Sequence, residues 1–181
     1  MIKYDYLVIG GGIVGLTLVK TILNKKPNVK VCVLEKENKV GLHGSGRNSG
    51  VLHSGIYYPE ESLKGRLCAV GAHKMHAYCK DRGLPINRIG KVILPTKAQD
   101  DQTLDLLYKR AKKNGAKAFI INESELKEIE PEARTASGRA LYSPETAVID
   151  PHAVLESLVT DLQKQDVDFK YGAAVCEAEP D

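Results

Sequence analysis

A run of glycines between two apolar segments constrains this chain more than any other feature of its sequence. Residues 4–9 form a short apolar run of the kind that makes a strand buried on both faces. The next residues, Gly10 to Gly15, fit the pattern G-x-G-x-x-G, and residues 13–25 carry apolar side chains at helical spacing. Residues 30–35 are a second apolar run. The pattern therefore predicts a strand–helix–strand unit with a right-handed crossover.

The glycine-rich turn predicts a dinucleotide-binding site, because it follows a predicted strand and opens a predicted helix. Gly10 permits a tight turn, Gly12 lets a pyrophosphate approach the backbone, and Gly15 lets the helix pack close to the strand. The first residues of the helix, Ile13 and Val14, belong to a terminus that offers unpaired N–H groups and partial positive charge to phosphates.

Glu35 ends the second predicted strand, twenty positions after Gly15. A carboxylate at this place accepts hydrogen bonds from ribose hydroxyls and repels a 2′-phosphate, which disfavours NADP. Taken alone, a glutamate at a strand end is more often a solvated side chain, so the interpretation depends on the glycines. The strand–helix–strand unit does not separate FAD from NAD, because both cofactors use it.

The segment after this unit favours FAD. Residues 41–58 read GLHGSGRNSGVLHSGIYY, which is rich in glycine yet carries bulky side chains that flexible loops rarely contain. A long irregular segment inside a compact domain is usually functional. This one offers backbone N–H groups, hydroxyls and the charge of Arg47 to a pyrophosphate and to the polar edge of a flavin. The alternative is that Arg47 is simply exposed to solvent.

At this segment the sequence resembles a known family. Residues 45–58 are similar to the motif of the L-2-hydroxyglutarate dehydrogenases/oxidases, which belong to the wider D-amino-acid-oxidase and glycerol-3-phosphate-dehydrogenase type of FAD enzymes. Residues 140–146 and 148–151 support the resemblance, and residues 90–95 match the family's layout. The family usually has glycine at the position of Ala147, a mild departure that affects one turn.

The resemblance implies an α/β fold in which a Rossmann-like FAD-binding domain is interleaved with an α+β substrate domain. The FAD-binding domain would take residues 1–82 and 151–181, and residues 83–150 would form part of the substrate domain. The chain ends soon after a predicted strand, without a second glycine-rich segment or a late arginine for a dicarboxylic acid. We therefore expect a chain truncated at its carboxy terminus, as one part of a longer functional unit.

The resemblance also implies a reaction, the oxidation of a 2-hydroxy acid such as L-2-hydroxyglutarate to 2-oxoglutarate, with hydride transfer to flavin N5. His53 is the candidate base for the hydroxyl proton; its alternative role is to hydrogen-bond the flavin ring or to shape the loop. The electron acceptor would be oxygen, a quinone or an electron-transfer protein. An amine, amino-acid or glycerol-3-phosphate oxidoreductase of the same fold, and an inactive dinucleotide-binding fragment, stay open as alternatives.

The glycine-rich pattern and the resemblance together define a set of candidate cofactor-binding residues. They are Gly10, Gly12, Ile13, Val14, Gly15, Glu35, Lys36, Gly46, Arg47, Asn48, Ser49 and Val175. By the resemblance, residues 47–49 face the pyrophosphate or the ribityl chain, and Val175 lies on the adenine side.

Composition and charge exclude several other classes of protein. The formal net charge is +3, so nothing indicates a nucleic-acid partner. The four cysteines lack the spacing of a zinc or redox site, and His73 and His76 lack a third ligand, so no metal is expected. No apolar stretch is long enough to span a bilayer, and the three residues before the first strand leave no room for a targeting peptide. We therefore expect a cytoplasmic protein, at most peripheral to the inner membrane.

Overall fold

The computed structural model describes residues 3–179, apart from the side chain of Ala98. Within this range the chain divides into two compact units. The first unit contains residues 3–49 and 150–179, and the second contains residues 50–149. The first unit is therefore built from two separate stretches of chain, and the second unit is a single stretch.

The first unit contains a parallel sheet and two helices. Its elements are β1 (Tyr6–Ile9), α1 (Ile13–Lys25), β2 (Val31–Leu34), α5 (Pro151–Gln163) and β9 (Asp168–Lys170). The sheet has the strand order β1–β2–β9, and every neighbouring pair is parallel. The predicted strand–helix–strand unit is thus confirmed, with a third parallel strand that comes from the far end of the chain.

Buried apolar side chains in the first unit follow the periods of its elements. Leu16, Val19 and Leu23 are the buried residues of α1, spaced by three and four along the helix. Residues 31–33 of β2 are all buried, as the central strand of a covered parallel sheet requires. The continuous apolar run in the sequence therefore corresponds to a strand buried on both faces.

The second unit contains two antiparallel sheets. Its strands, in chain order, are β3 (Val51–Leu52), β4 (Ile86–Asn87), β5 (Lys91–Ile93), β6 (Phe119–Asn122), β7 (Arg139–Ser143) and β8 (Ala147–Ile149). The order is β3–β8–β4 in one sheet and β5–β7–β6 in the other. The central strands β8 and β7 pair with strands that are distant in sequence, so neither sheet is a simple succession of hairpins.

The helices of the second unit begin at recognisable caps. They are α2 (Leu63–Asp81), a 3-10 helix (Ala98–Asp100), α3 (Asp101–Lys113) and α4 (Glu123–Ile129). The Ser62 hydroxyl accepts a hydrogen bond from the Gly65 N–H at the start of α2. Asn122 and Glu125 form a capping box at the start of α4. Within residues 3–179, no helix has the length and apolar character needed to cross a bilayer.

Two predicted strands differ from the structure. The composition of residues 174–177 predicts a strand near the end of the chain, and this prediction is wrong, because those residues have no regular structure. The backbone hydrogen bonds in this region come from Gly172 and Ala173, whose N–H groups donate to the carbonyls of Glu37 and Glu35. The sequence of residues 88–94, closed by Pro95, also predicts one strand. The observed strand is shorter, because Gly90 adopts a φ of 70° and separates β4 from β5.

The boundary between the compact units differs from the predicted domain boundary. Helix α2 lies in the second unit, whereas the sequence analysis assigned residues up to 82 to the FAD-binding domain. The second junction, between residues 149 and 150, is one residue from the predicted one. The domain boundaries stay a prediction, because compactness does not report which residues contact a cofactor.

The start of α5 gives a test of local stability. The Asp150 carboxylate accepts hydrogen bonds from the N–H groups of His152 and Ala153, at 2.9 and 3.2 Å. Asp150→Ala should lower the free energy of unfolding by about 1 kcal/mol, because those donors lose their cap. Urea unfolding followed by circular dichroism measures the change. Asp150→Asn keeps an acceptor oxygen and should lose much less; equal losses in both variants would contradict the capping role.

Candidate functional site

The glycine-rich turn joins β1 to α1 through a very close backbone approach. A Cβ atom added at Gly15 would lie 2.1 Å from the carbonyl oxygen of Gly10. Gly10 itself has a φ of 99°, a conformation that side chains disfavour. Only glycine therefore fits these two positions, and the first turn of α1 lies directly against the end of β1.

Glu35 connects this turn to the end of β2. Its buried carboxylate accepts a 2.8 Å hydrogen bond from the Gly11 N–H and a 3.0 Å bond from the Glu37 N–H. Each carboxylate oxygen has two lone pairs, so both can still accept a hydroxyl. Gly11 is also constrained, since a Cβ atom there would lie 2.8 Å from a methyl group of Val40. The sequence analysis did not single out Gly11.

Most of the backbone N–H groups at the amino terminus of α1 are available to a ligand. The Ile13 N–H donates to the Ser45 hydroxyl at 3.0 Å, and a Cβ atom at Gly12 would lie 3.0 Å from the same oxygen. Val14 and Gly15 have no hydrogen-bond partner within the helix, because the first N–H groups of any α-helix lack one. The first turn of α1 carries no acidic residue of its own, which suits the binding of an anion at the helix terminus.

Ser45 is a residue of this site that the sequence analysis missed. Its hydroxyl accepts from Ile13, 32 positions earlier in the chain, and retains a proton to donate to a phosphate oxygen. A small hydroxyl residue in a glycine-rich segment was the available signal. Sequence spacing could not show that this particular serine reaches the helix terminus.

The glycine-rich segment packs against α5 within the first unit. A Cβ atom at Gly46 would lie 2.0 Å from the Gly41 carbonyl oxygen and 2.6 Å from the His152 ring. A Cβ atom at Gly41 would lie 2.8 Å from a methyl group of Leu155. The N–H of Gly46 donates to the His43 carbonyl at 2.9 Å. Gly46 was predicted only as a cofactor contact. The structure shows that it also has a packing role.

Residues 47–49 are all exposed. The Asn48 amide donates to the carbonyls of Gly44 and Ser45, at 3.1 and 2.8 Å, so this side chain stabilises the loop itself. Arg47 contributes positive charge near Glu37. The pKa of Glu37 lies below its usual range, chiefly because the His43 ring forms a hydrogen bond to this carboxylate. The predicted phosphate contacts of residues 47–49 stay a prediction.

An open cleft lies at the carboxyl ends of β1 and β2. It is lined by Ile9, Gly10, Leu34, Glu35, Lys36, His43, Ala173, Ala174 and Val175. The fold thus brings together four residues of the predicted set, namely Gly10, Glu35, Lys36 and Val175. Ligands of parallel α/β sheets bind at this end of the strands, and the cleft has the chemistry of a nucleoside site, with apolar walls and a buried carboxylate.

His53 lies in the second unit, directly after β3. Its carbonyl oxygen accepts a hydrogen bond from the Cys68 thiol at 3.0 Å. The residue is exposed, yet the protein around its ring lowers its pKa, and the positive charge of Lys91 lowers the pKa further. Because of this lowered pKa, the His53 imidazole is largely uncharged at neutral pH, and an uncharged imidazole can accept a proton.

A separate cavity in the second unit contains the two helical histidines. Its lining includes Ser54, His73, His76, Arg88 and Glu145. The His76 Nε2 atom lies 3.2 Å from the Glu145 carbonyl oxygen, and its Nδ1 atom is buried without a partner among the described residues. In the same range of chain, no three or more His, Cys, Asp and Glu side chains group as metal ligands would.

The first unit fits a dinucleotide on physical grounds. The turn has no side chain that would fill the space beside the α1 terminus, the terminal N–H groups suit a pyrophosphate, and the buried Glu35 carboxylate suits ribose hydroxyls. All three features lie at the carboxyl ends of parallel strands. This geometry alone does not distinguish a flavin from a nicotinamide cofactor.

Comparison with known proteins makes that distinction. The model of the FAD dependent oxidoreductase family matches residues 5–181. Mitochondrial L-2-hydroxyglutarate dehydrogenase from Nematostella vectensis is 37% identical over 175 residues, which are 96% of this chain and 38% of that protein. The protein of the same name from Dictyostelium discoideum is 39% identical over 164 residues, 90% of this chain and 36% of that one. The chain thus spans well under half the length of these relatives.

Solved structures agree on the fold. The L-alpha-glycerophosphate oxidase of Mycoplasma pneumoniae, solved with FAD bound, superposes with a TM-score of 0.83 at 22% identity. The superposition covers 95% of this chain and 45% of that one. At this identity the likeness supports the α/β FAD-oxidoreductase fold and says nothing of the substrate.

One expectation from the sequence is wrong. A cytoplasmic location was predicted, but the curated relatives are named mitochondrial. The prediction failed because the absence of a recognisable targeting peptide in this sequence does not determine the compartment. The resemblance to L-2-hydroxyglutarate dehydrogenases is confirmed by those same relatives, and FAD is confirmed as the cofactor of the family. The chain belongs to the FAD dependent oxidoreductase family.

Proposed function

We propose that this chain holds FAD and forms part of the substrate site of an oxidoreductase that converts L-2-hydroxyglutarate to 2-oxoglutarate. The observation that carries the proposal is the closed glycine turn on the Glu35 carboxylate, in a chain 37% identical over 96% of its length to an L-2-hydroxyglutarate dehydrogenase. The two curated relatives described above are named for L-2-hydroxyglutarate, and not for an amine, an amino acid or glycerol 3-phosphate. Because the chain covers 38% of that relative, the activity is proposed for the whole protein.

The first unit would hold the adenosine diphosphate half of FAD. The N–H groups of Val14 and Gly15 would donate to the pyrophosphate together with the Ser45 hydroxyl, which already contacts the first residue of α1. Glu35 would accept the ribose hydroxyls, and Val175 and Lys36 would line the adenosine. Arg47 is exposed beside this loop and would add a charged hydrogen bond to phosphate.

His53 would take the proton of the substrate hydroxyl. Its lowered pKa keeps the imidazole in the form that accepts a proton near neutral pH. Bound FAD supplies the acceptor for the hydride that leaves the hydroxyl-bearing carbon. The electrons would then pass to oxygen, a quinone or an electron-transfer protein.

The cofactor proposal is tested by adding a methyl group inside the glycine-rich turn. Gly15→Ala should abolish retention of FAD, because the new methyl group meets the Gly10 carbonyl and displaces the α1 terminus. The visible absorption of protein purified from riboflavin-supplemented cells measures FAD per chain. Gly71→Ala, in α2 with no atom near the added Cβ, is the matched control and should keep the parent's absorption. A folded but colourless parent chain, or equal retention in both variants, would count against the proposal.

The substrate proposal is tested on the FAD-loaded chain without oxygen. L-2-hydroxyglutarate should bleach the flavin absorption, and the D enantiomer should not. His53→Asn should slow the bleaching by roughly 10²- to 10⁴-fold, since a positioned base contributes about that much. The rate should also fall at low pH, because protonated His53 cannot accept the hydroxyl proton. His73→Asn, at an exposed position of α2, is the control; bleaching as fast in His53→Asn as in the control would exclude the base role.

A further inference from the structure

Glu37 joins three segments of the first unit shortly after β2. Its N–H donates to the Glu35 carboxylate at 3.0 Å, and its carbonyl oxygen accepts the Gly172 N–H at 2.9 Å. Its own carboxylate accepts a hydrogen bond from the Nε2 atom of His43 at 2.8 Å. The main chain of Glu37 is thus held from both sides, so its carboxylate is a fixed anchor for the His43 ring.

His43 lines the same open cleft as Glu35, at the carboxyl ends of β1 and β2. The cleft has a volume of about 380 Å³, and His43 contributes the one aromatic ring among its described lining residues. Two apolar side chains of that lining are exposed, Ile9 by 66% and Val175 by 41%. The cleft therefore combines a flat ring and apolar surface with the carboxylate proposed to bind ribose.

The bond to Glu37 leaves much of the imidazole accessible. The His43 side chain is 55% exposed, and that of Glu37 is 36% exposed. An exposed pair of this kind contributes little to the stability of a fold, so stability alone does not account for it. The hydrogen bond does restrict rotation of the ring beside the cleft, which reduces the entropy lost when a ligand packs against it.

We propose that His43, held by Glu37, is a further cofactor-binding residue whose ring stacks on the adenine base of FAD. The inference rests on the proposed function and adds two residues that the sequence analysis did not identify, His43 as the contact and Glu37 as the positioning residue. Aromatic rings stack on bases without needing a specific pattern of hydrogen bonds. Glu35 and His43 are both bonded to Glu37, so the ribose and the base attached to it would meet neighbouring side chains.

The affinity of the flavin-free chain for ADP, measured by calorimetry, tests this contact without the flavin. His43→Ala should weaken ADP binding by about tenfold, because the stacked ring is lost. His43→Phe keeps a flat ring without the bond to Glu37, and its affinity should lie between those of the parent and His43→Ala. His73→Ala is the matched control, since it removes an exposed histidine from α2 in the other unit, and should bind ADP as the parent does. Unfolding curves check that each variant is folded.

A double-mutant cycle tests the positioning role of Glu37. Glu37→Ala should weaken ADP binding by a few-fold in the parent, because the ring loses its anchor, and should have no further effect in the His43→Ala background. His43→Ala should leave the affinity for inorganic pyrophosphate unchanged, measured by competition with ADP, because the ring contacts the base and not the phosphates.

Equal ADP affinities in His43→Ala and His73→Ala would overturn the inference, as would a flavin-free parent chain that does not bind ADP. It also fails if His43→Phe binds as weakly as His43→Ala, or if pyrophosphate affinity falls as much as ADP affinity, since the ring would then act on the phosphates or on the loop. The proposed function fails separately if ADP binding depends on His43 but L-2-hydroxyglutarate does not reduce the bound flavin.

Discussion

The buried hydrogen bond from the Gly11 N–H to the Glu35 carboxylate holds the candidate cofactor site together. A buried carboxylate without partners is costly, so the glycine turn and the end of β2 are stable only when they meet. The N–H of Glu37 occupies the other oxygen and continues this support into the next residues. The amino terminus of α1 is thereby held beside the carboxyl ends of β1 and β2, where phosphate and ribose groups can be bound by the same few residues.

Features with a local cause could be predicted from the sequence. The bounds of α1 and the Asp150–Pro151 start of α5 depend on spacing and capping within a few residues. Features with a distant cause could not. Strand β8 lies between β3 and β4, which are far from it in sequence, and no pattern within its three residues specifies those partners. Residues 174–177 show the converse error. Their composition is typical of a strand, but they pair with no neighbouring strand in the described chain.

The residues of the candidate site show the same difference between local and distant causes. Gly10, Gly15 and Glu35 follow from a pattern whose spacing encodes one turn and one strand end, and the structure places them together. Ser45 does not follow from any pattern. Ser45 acts on a helix terminus 32 residues earlier in the chain. Motifs thus identify the residues that shape a backbone, whereas tertiary structure determines which side chains meet.

The packing of the glycine-rich segment on α5 affects the order in which this protein can be made. Gly41 lies against Leu155, and Gly46 lies against His152, so the loop is supported by residues synthesised more than a hundred positions later. While a ribosome is still translating the second unit, β1, α1 and β2 exist but the loop has no surface to rest on. The nascent chain therefore cannot acquire its cofactor pocket step by step from the amino terminus; it must wait for α5 to emerge and dock.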